Sequence, residues 1–525
     1  MRTFQWIIAA AVAASLAGCG ADEISSAGSG GTINITNPPP TTPAPGDPGP
    51  QDPNLAVPAE ACPAIADPAG LDDYGTITGP TGTYRVCALP SRFTVSTTLP
   101  RVPGVLYAMD GRVDVGDDLG AEPTPGEEPV VLTIEPGVVI FAHTGVSWLA
   151  VNRGNRIEAE GTAERPIVFT SRDNVLGFAT DDSQGQWGGV VLLGRAPITD
   201  CTIAPDADPG TVECERQTEG ATDPAHYGGE LPEDNSGTLR YVQIRYSGYV
   251  LSANNELQAL TLSGVGSGTT IEYVQSHNSS DDGFENFGGT AHMRRIVVTG
   301  ADDDSMDLDT GYRGTIQYAI VVQKTSGGAD SLIELDSANA LEDQTPRTHL
   351  KLANFTLIHR NPASGNNAAM LFRGKADATL VNGIVTSPMP CLRLHGSNIL
   401  TADPATDKLG PPVFHSVVMQ CAPGTPFVGT GGVTDTQVAD VFDAGANNDA
   451  GFTATLADTF VNGANEAAVT AADPAAYDPA FDTTDYIGAV RDANDTWYAG
   501  WTCNSATANF GPTSTACTSL PSLAD

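Results

Sequence analysis

Basic residues are scarce in this sequence. Lysine and arginine together number 25, whereas aspartate and glutamate number 63, so the formal net charge is −38. A surface with this imbalance repels nucleic acid and anionic lipid and attracts cations. The composition therefore excludes nucleic acid as a partner.

Aromatic residues are also few, at 6% of the chain. Four of them, Trp187, Tyr227, Tyr246 and Tyr249, stand near strand ends and are candidates for a platform that stacks on a sugar. Isolated aromatic residues in such places more often pack or cover a core. The aromatic content gives only weak support to glycan binding.

Long apolar runs are missing except near the start. Residues 4–16 form an apolar stretch behind Met1-Arg2, and Leu16-Ala17-Gly18-Cys19 closes it. A helix needs roughly 20 apolar residues to cross a bilayer, so this stretch is too short. A charged start, an apolar run and small residues at a cut site predict a secretory signal peptide over residues 1–18.

The motif Leu16-Ala17-Gly18-Cys19 resembles a lipobox, after which the new N-terminal cysteine carries lipid. The resemblance implies lipidation of Cys19 and attachment to a membrane. Gly20, rather than aspartate, follows the cysteine, which implies the outer membrane without indicating which face. An ordinary cleaved signal with an incidental cysteine is the alternative.

No Cys-x-x-Cys pair occurs, which argues against the commonest zinc motifs. Eight cysteines besides Cys19 fit an oxidising compartment. They permit about a hundred connectivities, so pairing is predicted from proximity alone. The predicted disulfides are Cys62/Cys87, Cys201/Cys214, Cys391/Cys421 and Cys503/Cys517.

Composition divides the chain into further segments. Residues 19–58 are rich in Gly, Ser, Thr and Pro, cannot bury a core and predict a disordered tether behind the lipidated cysteine. Residues 59–130 are predicted to be a leading segment held by a disulfide. Residues 131–400 carry short β runs separated by Gly, Asn and Asp, and residues 401–525 are predicted to form an irregular C-terminal cap over the last strand edge.

A repeat selects the fold among sandwich, barrel and solenoid. The stretch Tyr273–Glu285 lines up with Arg295–Asp307, which begins 22 residues later, and a third copy begins near Tyr318. Looser copies follow at Ala353–Leu357 and Thr379–Val385. A period near 22 residues predicts an all-β, right-handed parallel β-helix, with one coil per repeat and coils about 4.8 Å apart.

Acidic residues alternate with apolar ones in these repeats. Side chains of a strand point alternately to its two faces, so the acids should point outward. Stacking places Glu285, Asp307 and Glu334 in one column and Asp309 and Asp336 in the next, beside the corner acids 281–282 and 302–304. Two charges about 4.8 Å apart repel by roughly 0.9 kcal/mol in water and more at a drier surface.

Carboxylate clusters suit hard cations, and Ca²⁺ above all. We therefore predict a calcium site among seven acids, with a plain solvated acidic face as an equal alternative. These acids are Asp282, Glu285, Asp304, Asp307, Asp309, Glu334 and Asp336.

A catalytic use of the same face has weaker support. Polysaccharide lyases with this fold combine calcium-binding acids with a basic residue, and hydrolases use clustered aspartates as acid and base. Arg313, Lys324 and Arg373 are candidate bases, although each is more simply a charge partner of the acids. No Gly-His-Gly accompanies the aspartates, so the sequence leans against an enzyme.

Several stretches resemble a family of bacterial outer-membrane lipoproteins, spirochaete proteins among them, with a pectin-lyase-like β-helix. They are Leu132–Ile140, Gly161–Ser171, Gln186–Val191, Asn235–Val242, Asp281–Glu285 and Asp485–Val490. The resemblance implies the fold and a place in the cell envelope, and it carries over no catalytic residues.

The sequence therefore predicts a membrane-anchored β-helix with a non-enzymatic binding or structural role in the envelope. Its expected partners are the membrane, through the lipid, and a glycan or an envelope protein. A polysaccharide lyase or glycoside hydrolase is the alternative.

Overall fold

The computed structural model describes residues 54–523, apart from 220, 222–223, 253–254, 326, 329, 338–340 and 364–367. These residues belong to one unit, Asp52–Asp525. The predicted signal peptide 1–18, Cys19 and nearly all of the predicted tether lie outside the described residues.

The chain is built mainly of short strands. In chain order they are β1 (Asp72–Gly79), β2 (Gly82–Ala88), β3 (Arg92–Phe93), β4 (Thr97–Leu99), β5 (Val105–Met109), β6 (Arg112–Val115), β7 (Val131–Ile134), β8 (Val139–Ala142), β9 (Trp148–Val151), β10 (Arg156–Glu160), β11 (Ile167–Ser171), β12 (Val190–Leu193), β13 (Arg216–Gln217), β14 (His226–Tyr227), β15 (Gly237–Arg245), β16 (Val250–Ser252), β17 (Asn255–Glu256), β18 (Leu260–Ser263), β19 (Thr270–His277), β20 (Phe284–Phe287), β21 (His292–Thr299), β22 (Met306–Asp309), β23 (Thr315–Val322), β24 (Ile333–Leu335), β25 (His349–Ile358), β26 (Met370–Phe372), β27 (Asp377–Thr386), β28 (Leu392–His395), β29 (Val413–Gln420), β30 (Phe427–Thr430), β31 (Cys503–Asn504) and β32 (Thr515–Ala516). The helices are α1 (Arg172–Leu176), α2 (Asp435–Asp443) and α3 (Ala464–Ala467), with 3₁₀ turns at Ser397–Leu400, Pro404–Thr406 and Pro474–Ala476.

Two large sheets run along the molecule. One has 15 strands and the other 11, and from β15 onward each successive coil adds one strand to each sheet. The first sheet has more strands because it also contains β1, β4, β7 and β10. Apart from the β1–β2 pair, the ladders of both sheets are parallel, as in Val274 opposite Ile296 on the next coil. This is a right-handed parallel β-helix, and the prediction from the repeat of 22 residues is confirmed.

The longer strands bend at one fixed position. A residue with positive φ interrupts the ladder in seven successive coils: Tyr241, Tyr273, Arg295, Tyr318, Asn354, Asn382 and Ser416. A residue other than glycine in the left-handed conformation costs roughly 1–2 kcal/mol. Contacts between the side chains of stacked coils must therefore offset this cost. The rings of Tyr241 and Tyr273 stack at 4.4 Å, and the Arg295 guanidinium lies between Tyr273 and Tyr318 at 5.2 and 4.8 Å.

The interior of the solenoid is apolar. Alternate residues of each strand point inward, and Phe284, Met306, Leu308, Ile333 and Leu335 belong to one continuous buried core. The acids between them point outward, as the alternation predicted.

The ladders extend beyond the predicted limits of 131 and 400. Strands β2, β5 and β6 already belong to the two sheets, and the last strands end at Gln420 and Thr430. The first coils are hard to recognise in the sequence because the irregular segment 116–130 separates them from the regular repeats.

The C-terminal region begins as the predicted cap and then leaves the end of the solenoid. Phe442 of α2 packs 5.4 Å from both Phe414 and Phe427, and the backbone of residues 446–451 pairs with the edge of β29, the last strand of the 15-stranded sheet. The rest of residues 444–523, which we call the strap, runs back along the outer face of that sheet. The Ala-rich residues 444–473, which follow α2, give no periodic signal from which this course could be predicted.

Amide side chains of the sheet hold the strap. Gln275, Gln317 and Asn382 each exchange two hydrogen bonds with the strap backbone, at Cys503, Asp482 and Ala472 respectively. Such paired bonds resemble those that a neighbouring strand would form. They also satisfy backbone N–H and C=O groups of the strap, which would destabilise the fold if they were buried without a partner.

The four predicted disulfides are present, and they join Cys62–Cys87, Cys201–Cys214, Cys391–Cys421 and Cys503–Cys517. The last closes a loop of the strap beside the buried Tyr246. Sequence proximity was therefore a sufficient guide to the pairing.

Candidate functional site

An acidic groove lies on the outer face of the 11-stranded sheet, over β20, β22 and β24. Its volume is about 930 Å³. Twelve acidic and two basic side chains line it, together with Gln258, Ser280 and Phe287. The charged ones are Glu219, Glu256, Asp281, Asp282, Glu285, Asp302, Asp303, Asp304, Asp307, Asp309, Asp330, Glu334, Arg216 and Arg373.

The floor of the groove is the predicted column of acids. Glu285 lies opposite Asp307 on the next coil, and Asp307 lies opposite Glu334 on the coil after it. Thr261 precedes this column and Leu371 follows it, so the acids occupy three successive coils. This part of the predicted arrangement is confirmed.

The walls of the groove come from outside the repeats. Arg216 and Glu219 belong to the insertion between β12 and β15, and Glu256 belongs to the insertion between β15 and β18. These walls remove the floor from solvent, so that Glu285 and Glu334 are only 6 and 7% exposed. Of the seven acids predicted to bind a cation on an open lateral face, five are buried, and Asp307 and Asp309 are half-buried.

Corner acids shape the end of the groove where β20 and β22 begin. Asp282 accepts a hydrogen bond from the Asp304 backbone N–H at 2.9 Å, and Asp304 accepts one from the Ser331 N–H at 2.5 Å. Asp281 accepts a bond from the Gln258 amide at 3.1 Å. These bonds fix the corners of successive coils and leave other carboxylate oxygens facing the groove.

Two groups of three carboxylates approach closely. Oxygens of Asp281, Asp282 and Asp303 lie within 4.8 Å of one another, and so do oxygens of Asp282, Glu285 and Asp307. Within the second group, Glu285 Oε2 and Asp307 Oδ1 are buried and have no hydrogen-bond partner among the described residues. Buried carboxylate oxygens without a partner are costly, and a bound cation would stabilise them.

The electrostatics agree with this geometry. Burial first, and neighbouring carboxylates second, hold the pKa values of Asp282, Glu285, Asp304 and Asp307 well above the usual range. The same two causes raise the pKa of Asp281 to about 7. The groove is thus poised to take up protons or cations near neutral pH.

Of the three candidate bases, only Arg373 lines the groove. It lies 2.6 Å from both Glu334 and Asp336. Burial by itself lowers the pKa of Arg373, but the two acids together outweigh burial and raise it above the usual range. Arg313 pairs with Asp407 at 2.5 Å, and Lys324 bonds to Gln184 at 2.5 Å and lies 3.6 Å from Asp302. Neither Arg313 nor Lys324 is in the described lining: Arg313 pairs with an acid outside the groove, whereas Lys324 lies beside Asp302 at the edge of the groove.

Arg373 also bonds to Asp336, which belongs with Asp309 to the second predicted column of acids. Asp336 accepts bonds from Arg373 and from the Ser337 N–H at 2.6 Å, and Asp309 accepts one from the Thr310 N–H at 2.5 Å. Because Glu334 and Asp336 already have a cationic partner, the predicted cation ligands divide into a neutralised end and an open end. The open end contains Asp282, Glu285 and Asp307.

The four candidate aromatic residues do not form the predicted platform. Trp187, Tyr227 and Tyr246 are fully buried and contribute to packing, and Tyr249 is half-buried. Arg216, Glu219, Glu256 and Asp330 are lining residues that sequence reasoning missed. They lie outside the repeated strand motif, so no spacing singles them out.

The fold and the groove together define a class: a parallel β-helix with a deep carboxylate site on one lateral face. Residues 124–502 match the family described as pectate-lyase-like β-helix domain, and the chain belongs to this family. Searches of curated proteins and of solved structures found no significant match. Among the described residues, no helix is both long and apolar enough to cross a membrane.

Proposed function

We propose that this protein is an envelope β-helix, attached to the outer membrane through lipid on Cys19, that binds Ca²⁺ in the acidic groove and, through it, an anionic glycan. The observation that carries the proposal is the open end of the groove. There the Glu285 carboxylate is 6% exposed, and its Oε2 has no hydrogen-bond partner among the described residues.

The donor set supports a hard cation. The ligand atoms available in the two carboxylate groups are all oxygens, which Ca²⁺ takes in sets of six to eight at roughly 2.3–2.6 Å. Softer ions prefer histidine and cysteine, and no histidine or cysteine is among the described lining residues. Calcium is therefore the ion that the groove suits best.

The remaining positions of the groove support an anionic glycan. Three carboxylates leave several calcium coordination sites open, and carboxylates of an acidic sugar are suitable additional ligands. Arg216 lies over Phe287 at 5.0 Å at one side of the groove, and Arg373 lies beside Glu334. Although Arg373 is bonded to Glu334 and Asp336, its side chain is 41% exposed, so N–H groups that these two acids do not use can donate to a sugar carboxylate.

Equilibrium binding of a polyuronate tests this function. We expect binding in calcium, its loss in chelator, and no binding of a neutral polysaccharide of equal length. Equal binding of the neutral polymer, or none of the acidic one, contradicts the glycan proposal. Labelling with a fatty acid tests the anchor separately, because a Cys19→Ser variant should incorporate none.

A second candidate function is a polysaccharide lyase that uses Arg373. The position of this arginine inside a carboxylate groove favours it. A lyase base must accept a proton, however, and the two acids that raise the pKa of Arg373 keep it protonated. The arrangement therefore suits charge pairing and carboxylate binding better than proton abstraction.

Replacing Arg373 distinguishes the two functions. We expect Arg373→Ala to weaken polyuronate binding by about tenfold or more, because a charge-assisted hydrogen bond contributes roughly 1.5–3 kcal/mol. We also expect the unaltered protein to release no unsaturated uronate, as followed by ultraviolet absorbance. Arg313→Ala is the matched control, since Arg313 pairs with a single acid outside the described lining. Unsaturated product that disappears in Arg373→Ala would establish the lyase instead.

A further inference from the structure

The disulfide Cys503–Cys517 of the strap lies beside a histidine at the end of β19. Both Sγ atoms and one ring nitrogen of His277 lie within 4.8 Å of one another, and all three residues are 0% exposed. Among the described residues, this is the only disulfide that belongs to such a group of metal-ligand atoms. The group lies where the strap crosses the 15-stranded sheet, whereas the acidic groove lies on the 11-stranded sheet.

The hydrogen bonds of His277 leave the lone pair of its Nε2 unused. Thr299 Oγ1 donates its single proton to the Ser276 carbonyl at 3.3 Å, so it accepts from His277 Nδ1, which is 2.8 Å away. The neutral ring therefore carries its proton on Nδ1. Its Nε2 is buried and has no hydrogen-bond partner among the described residues. A metal-binding histidine has this arrangement, with one nitrogen held by a neighbour and the other directed at the ion.

Bonds other than the disulfide hold both cysteines in place. The Cys503 N–H donates to the Gln275 side chain at 2.7 Å, and the Gln275 amide donates back to the Cys503 carbonyl at 3.3 Å. The Cys517 carbonyl accepts from Asn174 at 3.0 Å and from Arg245 at 2.9 Å. Breaking the sulfur–sulfur bond therefore leaves the backbone of both cysteines where it is.

The guanidinium of Arg245 makes this place suitable for thiolates. Arg245 is 0% exposed, and its partners among the described residues are neutral oxygens, such as the Gln243 side chain and the Ser519 carbonyl. A nearby cation favours thiolate over thiol, and thiolate is the form that binds metal. Two thiolates and one Zn²⁺ add no net charge, so the buried charge is the same as with the disulfide.

We propose that Cys503, Cys517 and His277 bind one Zn²⁺ ion when the two cysteines are reduced, and that this ion and the disulfide exclude each other. Thiolate and imidazole are donors that suit zinc. Ligand atoms around a tetrahedral zinc lie about 3.4–3.8 Å apart, given zinc–ligand distances of roughly 2.0–2.3 Å, which agrees with the spacing of the group. The fourth position is left to water. This inference is independent of the calcium groove.

The exchange between the two forms balances. Zinc displaces one proton from each thiol, and both protons go to solvent. A disulfide oxidant then takes two electrons from the two thiolates and itself becomes a dithiol, while the sulfur–sulfur bond forms and the ion leaves. A dithiol reductant restores the two thiols. A chain that has not yet been oxidised has these thiols from the start.

Counting zinc before and after reduction tests the proposal. The full chain is stripped of metal with chelator, reduced with a phosphine, exchanged into oxygen-free buffer and titrated with ZnCl₂, and native mass spectrometry counts the ions. We expect the reduced chain to bind one ion more than the oxidised chain, a difference that cancels any zinc held by carboxylates. Cys503→Ser should bind no additional ion, and His277→Gln should bind it at least tenfold more weakly. Cys201→Ser and His395→Gln are matched controls and should keep it.

Alkylation of the reduced, unaltered chain tests the same site without a substitution. We expect zinc to slow the reaction of Cys503 and Cys517 with iodoacetamide, as mapped by peptide mass spectrometry, and to leave Cys201 and Cys214 as reactive as before. Circular dichroism checks that the reduced chain is folded.

Several results would overturn the zinc site. One is an equal zinc count before and after reduction, and another is an additional ion that Cys503→Ser or His277→Gln binds as tightly as the unaltered chain. Alkylation of the two strap cysteines at the same rate with and without zinc does so as well. A reduced chain that unfolds and that zinc does not refold leads to the same conclusion, because the site requires the strap in place.

Discussion

In chelator, the melting temperature is expected to fall by several degrees as the pH rises from 5 to 8, and calcium is expected to restore it. The reason lies in the groove, where burial and neighbouring carboxylates raise the pKa values of Asp281, Asp282, Glu285, Asp304 and Asp307. Ionising these acids at higher pH places unpaired like charges in a dry site.

The direction follows from proton linkage. In the unfolded chain these carboxyls release their protons near pH 4, whereas in the folded protein Asp281 releases its proton at about pH 7. The folded state therefore binds more protons between these values, and stability falls as the pH rises through that window. Calcium competes with the protons, so its stabilising effect should be small at pH 5 and large at pH 8.

The measurement is a set of melting curves at several pH values, with and without calcium. The difference between the paired curves isolates the groove, because groups that do not contact the ion titrate equally in both. Each saturable site stabilises by about 2.7 kcal/mol when calcium exceeds its Kd a hundredfold. A calcium effect that is independent of pH, or absent at pH 8, contradicts the assignment of the ion to these acids.

The floor of the groove could be predicted from the sequence because it follows a local rule. The repeat of 22 residues set Glu285 opposite Asp307, and the alternation of apolar and acidic residues set both outside the core. The looser copy that brings Glu334 into the column kept the same alternation, although its coil is longer. Periodicity and alternation act within a coil or between adjacent coils, so one sequence contains enough information to use them.

The depth of the groove could not be predicted in this way. Its walls consist of insertions such as the one that carries Arg216, and nothing in their spacing ties them to the coils that they cover. The same holds for Arg373, which looked like one of three equal candidates until its bonds to Glu334 and Asp336 were known. Whether the acids form an open face or a buried site depends on these contacts, and it decides whether a cation is needed.

The strap is a second feature that depends on distant contacts. Gln275 and Cys503 are 228 residues apart and exchange two hydrogen bonds. From the sequence alone, a polar residue in the middle of a strand is expected to point outward into solvent. In the folded protein, Gln275, Gln317 and Asn382 instead bind the backbone of a segment that the sequence suggested would lie at the end of the solenoid.

Replacing Trp501 by alanine is expected to destabilise the folded protein by about 3–5 kcal/mol, as typical for a fully buried tryptophan. Trp501 is 0% exposed and lies in the cluster where the strap meets Val297 and Ile320 of the sheet. Its ring contacts Tyr241 and Tyr273 edge-on, at 6.2 and 5.8 Å, and its Nε1 donates to the Trp497 carbonyl at 2.8 Å. The substitution therefore removes packing and leaves an acceptor without its donor.

Denaturant unfolding measures the loss, and Phe178→Ala is the control because Phe178 is 70% exposed and should change stability by less than about 0.5 kcal/mol. Limited proteolysis then shows where the destabilisation acts. If the strap stabilises the sheet by covering it, cleavage of Trp501→Ala should appear first within residues 444–523 and the solenoid should follow. An unchanged midpoint would mean that the strap contributes little to the stability of the coils, and that the apolar face beneath it tolerates exposure.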